Sequence, residues 1–187
     1  MSVGLISYYG LIELAEKGVI TGLLDHDQIN GASIDITLGT KILVEHCTSE
    51  KDLKEVSLAK RERLTFREWE FGRDGAEYKL YPGEFILAQS AEVFNLPCDI
   101  AAEYKLKSSM ARIGLEHLNA GYCDPGWNGS VLTLELKNMT RNHVITLTER
   151  VRIGQVVFFN TNAVPEDRSY AARGRYNNDK SVSGIKI

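Results

Sequence analysis

The chain has only three cysteines in 187 residues, and Cys47, Cys98 and Cys123 stand far apart. An odd number at wide spacing makes no disulfide framework, so reduced thiols are expected. Two elements by which zinc enzymes hold their ion, H-x-E and P-C-x-x-C, are missing. Pro97-Cys98 is followed by no second cysteine at that spacing, and none of His26, His46, His117 and His143 opens an H-x-E. No zinc is expected. The sequence also lacks a G-x-x-x-x-G-K-[ST] loop and a G-x-S-x-G elbow, which leaves a P-loop enzyme and an esterase of the α/β-hydrolase kind without support. Nowhere is an apolar run long enough to span a bilayer, and the start, MSVGLISYYGLIEL, has no basic segment before an apolar one. A soluble, intracellular protein with no membrane association is expected. Basic residues are in slight deficit, 22 against 25 acidic ones, giving a net charge of −3 and a pI near 5.8. That argues against a general nucleic-acid binder, which would show clustered Lys and Arg, so an anionic ligand must be held locally. No Pro/Ser-rich linker, internal repeat or low-complexity stretch divides the chain, and its length suits one domain spanning 1–187.

What the chain does have is concentrated between Lys107 and Glu135, in KSSMARIGLEHLNAGYCDPGWNGSVLTLE. SSMARIG reads as a short helix that Ser108 or Ser109 can cap and Gly114 can end, with Ser108 and Arg112 four apart on one face. A helix start attracts anions, and Lys107 and Arg112 add cationic donors, so the segment suggests a nucleotide site. Taken alone it is equally an ordinary capped surface helix. In VLTLEL, Leu132, Leu134 and Leu136 face one side while Val131, Thr133 and Glu135 face the other. A carboxylate within an apolar strand is either simply solvated or, when partly buried, raised in pKa toward the range of a proton carrier.

An N-terminal helix is predicted from Ser7 to Gly18, with Tyr8, Leu11, Ile12 and Ala15 as its core stripe. SIDITLG alternates Ile34, Ile36 and Leu38 against Ser33, Asp35 and Thr37, as a half-buried strand would. From Glu50 to Glu77, fifteen of twenty-eight residues are charged with mixed signs, which fits a solvated excursion without chemistry. EFILAQS, VLTLEL, HVITLT and QVVFF then recur as short strands between Gly, Asn and Pro, pointing to a mainly β barrel or sandwich. The polar tail, 168–187, interleaves Arg173, Arg175 and Lys180 with Tyr170 and Tyr176. It reads either as a lid over a nucleotide or as a frayed terminus.

Together these segments resemble the dCTP deaminase family, zinc-free relatives of the trimeric dUTPases, over nearly the whole chain. DQINGASIDITLG resembles the family's INPASYDLRLG element, YPGEFILAQSAEVFNLPCDIAA its PGEF region, and KSSMARIGL its GRSSLARLGL helix. NAGYCDPGWNGSVLTLELKN is similar to TAGFIDPGFEGHITLELSN, and RYNND to the terminal KYQGQ.

The resemblance implies a distorted β-barrel of the trimeric dUTPase type, with a short N-terminal helix and a short active-site helix. It also implies a homotrimer with active sites at subunit interfaces, in the cytoplasm of a bacterial cell or a phage-infected host. By position, Glu135 is the general base that activates water toward C4 of cytosine, Ser108 and the Ala120 carbonyl orient that water, and Arg112 fixes the constellation. Asp124 meets the deoxyribose, and Trp127 or Tyr122 shapes the sugar and base pocket beside Asn119. Lys107, Ser109, Tyr170, Arg175 and Tyr176 hold the triphosphate with Mg²⁺ carried by the nucleotide, Asp179 lying nearby in the lid. The implied reaction is deamination of dCTP to dUTP and ammonia. The alternatives are a dUTPase or a bifunctional enzyme, a deaminase of dCMP or of a C5-modified cytosine, and a non-enzymatic nucleotide sensor. Four positions depart from the pattern: Lys107 stands for Arg, Asn119 for Thr, and Asp179 and Ser181 for Gln and Gly.

Overall fold

The structure, a computed structural model, describes residues 4–46 and 53–186. Cys47 and the first residues of the charged segment lie outside the described residues. Strand β1, Gly4–Leu5, leads into helix α1, Tyr8–Glu16, which begins after Ser7. Gly18 follows it with φ +72, a left-handed conformation that glycine adopts without strain. Leu11 and Leu14 are the buried seam of α1, with Ile12 and Ala15 packed against the core. Tyr8, expected in that seam, is instead 45% exposed. It stands at the helix start, before the turn that meets the sheet.

Next come β2, Ile20–Thr21, and the twelve-residue strand β3, Ile34–Glu45. The alternation of SIDITLG predicts one wet face, but Asp35 and Thr37 are as buried as Ile34, Ile36 and Leu38. Polar partners make this possible. The Thr37 hydroxyl and N–H both donate to the Glu92 carboxylate, at 2.7 and 3.0 Å, and Gln28 Nε2 donates to Glu92 at 3.0 Å. Glu92 has no exposed surface, and burial holds its carboxyl above the usual range.

Strands β4, Phe66–Glu70, and β5, Glu77–Leu80, arise within the charged segment read as a solvated excursion. Trp69, Phe71 and Tyr78 meet edge to face there, with centroids 4.6 and 5.3 Å apart, and anchor its end to the barrel. Residues 53–65 remain largely exposed irregular chain.

The remaining elements are β6, Phe85–Asn95; β7, Ile100–Leu106; α2, Ser108–Arg112; β8, Leu115–Glu116; β9, Tyr122–Cys123; β10, Asn128–Asn138; β11, Ile145–Thr148; β12, Arg152–Asn160; and α3, Tyr170–Arg173. The main sheet runs β8-β10-β6-β3-β12-β7-β9, with β1 on β12, β2 on β6 and β4 on β3, while β11 pairs β5 separately. Among the described residues these strand pairings are all antiparallel. This is the mainly β fold with few short helices that the sequence predicts.

The sheet curls because β3 changes partners along its length. Ile34–Thr37 pairs β12, Leu38–Val44 pairs β6, and the register shifts between Leu38 and Ile42. Gly39 lies at that shift, where a Cβ would come 2.7 Å from the Ser90 carbonyl oxygen. The bend therefore requires glycine. Inside the curl pack Ile34, Ile36, Leu38, Phe94, Leu134, Leu136, Val156 and Phe158.

Candidate active site

Strand β10 is the base of a pocket of about 320 Å³. Leu134 and Leu136 turn into the core as expected, and Val131, Thr133 and Glu135 line the pocket, which Leu132 also borders. Glu135 is half-buried opposite Leu87 of β6, with no side-chain partner among the described residues. Loss of water raises its pKa to about 6. A carboxylate so poised can take up and return a proton near neutrality.

The turn Asp124-Pro125-Gly126-Trp127 forms one wall. Trp127 N–H donates to the Asp124 carbonyl at 3.2 Å, and Gly126 has φ +87. Proline then glycine at the two central positions is the chemistry of a type II turn. The Asp124 carboxylate is thereby exposed at the pocket, while Trp127 is buried on Phe94, ring centroids 5.3 Å apart. Tyr122 is 66% exposed at the pocket edge. Cys123 also reaches it, but burial pushes its thiol up to about 12, so it is no nucleophile at neutral pH.

Ala120 is presented to the pocket by a strained turn. Leu118 and Asn119 both take left-handed conformations, φ 57 and 54, which cost about 1 kcal/mol or more each. Glu116 offsets this by accepting the His117 and Leu118 N–H groups at 2.9 and 3.2 Å. Beneath, His117 meets the Tyr104 ring edge to face at 4.9 Å. The buried Tyr104 hydroxyl has no partner among the described residues, and burial together with the Glu135 charge raises its pKa.

The tail lies against the pocket of its own chain and is not a frayed terminus. Tyr170, Tyr176 and Asp179 line it, as do Gly184 and Ile185. Val131 N–H donates to the Asp179 carbonyl at 2.8 Å, Asp179 N–H to Ser130 Oγ at 3.0 Å, and Val182 N–H to Gln89 Oε1 at 2.9 Å. The Asp179 carboxylate accepts from Lys186 Nζ and from Ser183 Oγ, so its charge is matched within the tail.

Glu135, Ala120, Tyr122, Asp124, Trp127, Tyr170, Tyr176 and Asp179 thus surround one pocket. Lys107, Ser108, Ser109, Arg112, Asn119 and Arg175 do not line it. Ser108, Ser109 and Arg112 are exposed on α2, as is Arg175 in the tail. Neither serine caps α2. Its N-cap is Lys107, with no side-chain cap bond, because the Lys107 backbone is the last extended residue of the β7 path. Residues that the motif reading passed over include Asn138, whose amide donates to the Leu80 and His143 carbonyls at 2.9 Å each and pins the end of β10. An asparagine closing an alternating apolar strand was the signal for it.

With this geometry in hand, residues 10–161 match the family described as dCTP deaminase-like, and the chain belongs to that family. It is 33% identical over 92% of its length to a dCTP deaminase, dUMP-forming, of Nanoarchaeum equitans, of which 91% is covered. A dCTP deaminase of Haloarcula marismortui is 34% identical, over 98% of this chain and 94% of that one. The crystal structure of 2'-deoxycytidine 5'-triphosphate deaminase from Agrobacterium tumefaciens superposes with a TM-score of 0.67 at 20% identity, covering 88% of this chain. The present chain spans 50% of that longer chain, and the likeness is one of fold.

Proposed function

We propose that the protein hydrolyses the amino group of a deoxycytidine nucleotide, dCTP to dUTP and ammonia, with Glu135 as the general base. The observation that carries this reading is a half-buried carboxylate whose pKa is raised to about 6, in a pocket of nucleoside size on the strand that carries the family motif. Glu135 takes a proton from water as the oxygen bonds to C4, and passes it to the departing nitrogen. The Ala120 carbonyl accepts the water's second hydrogen. Trp127 and Tyr122 flank the base and sugar, and Asp124 accepts from the deoxyribose hydroxyl. Asn119 shapes the ring pocket from outside its lining.

Ser108, Ser109 and Arg112 lie away from this chain's own pocket, which supports a homotrimer in which α2 of one copy completes the site of its neighbour. Arg175 and Tyr176 then contact the phosphates from the tail. Among the described residues, Asp124 is the one pocket carboxylate besides Glu135 that is not already engaged, a poor donor set for a dedicated metal cage. Mg²⁺ fits as an ion held by phosphate oxygens and water, arriving with the nucleotide.

A second reading, in which dUTP is cleaved onward to dUMP and pyrophosphate, is favoured by Asp124 at the pocket and by the name of the Nanoarchaeum relative. The test is incubation with Mg²⁺ and dCTP, dCMP or dUTP, resolving bases and phosphates by ion exchange. Ammonia release from dCTP, lost at least a thousandfold in Glu135→Gln with nucleotide still bound, supports deamination. No release from wild type overturns it, and pyrophosphate appearing with dUMP establishes the second activity.

A further inference from the structure

Helix α2 carries Ser108 and Arg112 yet buries none of its five residues. Only the half-buried Met110 packs it against the core, so its ends carry most of its placement. At its C-terminal end Gly114, φ +87, turns the chain and accepts Met139 N–H at 2.8 Å. At its N-terminal end everything converges on Lys107. The Lys107 N–H donates to the Ile153 carbonyl at 3.1 Å, and its own carbonyl accepts the Met110 and Ala111 N–H groups at 2.9 and 3.1 Å. Its ammonium meets both oxygens of Asp35, each at 2.7 Å.

Asp35 is a firm point of attachment. Its side chain is 4% exposed in the middle of the sheet, opposite Gln155 of β12. Asn30 Nδ2 donates to it at 2.9 Å, Gln28 Nε2 holds its backbone carbonyl at 2.8 Å, and Arg152 stands 3.8 Å off. A carboxylate this buried needs its cation, and an ammonium bonded twice to it has little freedom to follow a mobile ligand.

We infer that Asp35 is a positioning residue: through its pair with Lys107 it sets the start of α2, and with it Ser108 and Arg112, for the reaction. Lys107 then acts mainly as a strut between sheet and helix, and only secondarily as a phosphate donor. The kinetic part of the inference rests on the deamination proposed above.

Four variants decide it: Lys107→Met, Lys107→Arg, Asp35→Asn and the combined Asp35→Asn/Lys107→Met. The readouts are dCTP turnover with Mg²⁺ and hydrogen exchange of the α2 amides, compared with those of β6. Lys107→Met and Asp35→Asn each lower kcat at least tenfold and speed α2 exchange at least tenfold, leaving β6 unchanged. The combined variant is no worse than the poorer single one, because both remove the same link. Lys107→Arg keeps the ion pair and stays within threefold of wild type in both readouts.

A rise in KM for dCTP with kcat and exchange unchanged in Lys107→Met overturns the inference, since that is the signature of a phosphate contact alone. Multiplying losses in the combined variant overturn it too. If Asp35→Asn does not fold, Lys107→Met against Lys107→Arg still decides. If wild type turns over no dCTP, the proposed function falls, and α2 exchange alone judges the positioning role.

Discussion

Trp127 donates its indole N–H to the Tyr176 carbonyl, 2.9 Å away, which joins a wall of the pocket to the segment that covers it. Ser130 Oγ shares the same acceptor at 2.7 Å. Trp127→Phe keeps the stack on Phe94 and removes only this donor. A single neutral hydrogen bond contributes about 1 kcal/mol, so the tail should open about fivefold more often. Limited trypsinolysis at exposed Arg175 and Lys180 measures this. An unchanged cleavage rate would show that the tail's other bonds, to Asn128, Ser130, Val131 and Gln89, hold it without the indole.

With Glu135 as the base proposed above, the activity should have an acid limb. A base whose pKa lies at about 6 is protonated and inactive below that pH, so kcat/KM should fall tenfold per pH unit beneath it. A profile flat to pH 5 would remove Glu135 from that role.

The same residue sets a pH dependence of stability of opposite sense. The folded chain holds the Glu135 proton more tightly than the unfolded chain, whose carboxyl has the ordinary value of 4.5. The stability from that proton is complete below 4.5 and is lost as the pH rises through about 6. Glu135→Gln should therefore exceed wild type at pH 8 by about 1 kcal/mol in urea unfolding, with the gap closing near pH 4.

Gly154 of β12 lies flat beneath the Tyr104 ring, and a Cβ there would overlap its ring carbons and hydroxyl. Neither the central strand nor a ring 1% exposed can move aside cheaply. Gly154→Ala should cost about 2 kcal/mol in urea unfolding, as overpacked cores do.

Glu92 ties Thr37 and Gln28 together inside the barrel. Glu92→Ala strands three buried donors and should cost about 3 kcal/mol. A loss below 1 kcal/mol would mean that water enters to replace the carboxylate.

The strands of strict alternation were legible, VLTLEL above all, because a leucine face and a polar face leave one way to sit on a core. The short helix between Lys107 and Gly114 was legible too, through its glycine. Other features were not. Asp35 and Thr37 read as a wet face, because pattern alone does not reveal that Glu92, 55 residues beyond Thr37, supplies a buried acceptor. Strand β7 alternates only from Ala102 to Leu106, with Glu103 and Lys105 on one face, and its start, Ile100, Ala101 and Ala102, is buried on both faces, so the period is too short to stand out. At the site, the motif order drew Glu135, Asp124 and the tail tyrosines together, but no local signal separates residues lining one chain's pocket from those exposed on α2. The Lys107–Asp35 pair went unread for the same reason, its members being 72 positions apart.

The placement of β3 between β6 and β12 also bears on how the chain comes to be folded. Asp35 lies opposite Gln155, 120 positions later. The strand nearest the N-terminus in the sheet's centre thus waits for one of the last to be synthesised. Closing so large a loop precedes most of the reward for doing so, which places refolding in the slow range of β proteins, about milliseconds to seconds. On the ribosome, β3 and β6 can associate early, but the barrel cannot shut until β12 has emerged from the exit tunnel. Until then, a strand built to be covered on both faces has one edge open to other chains.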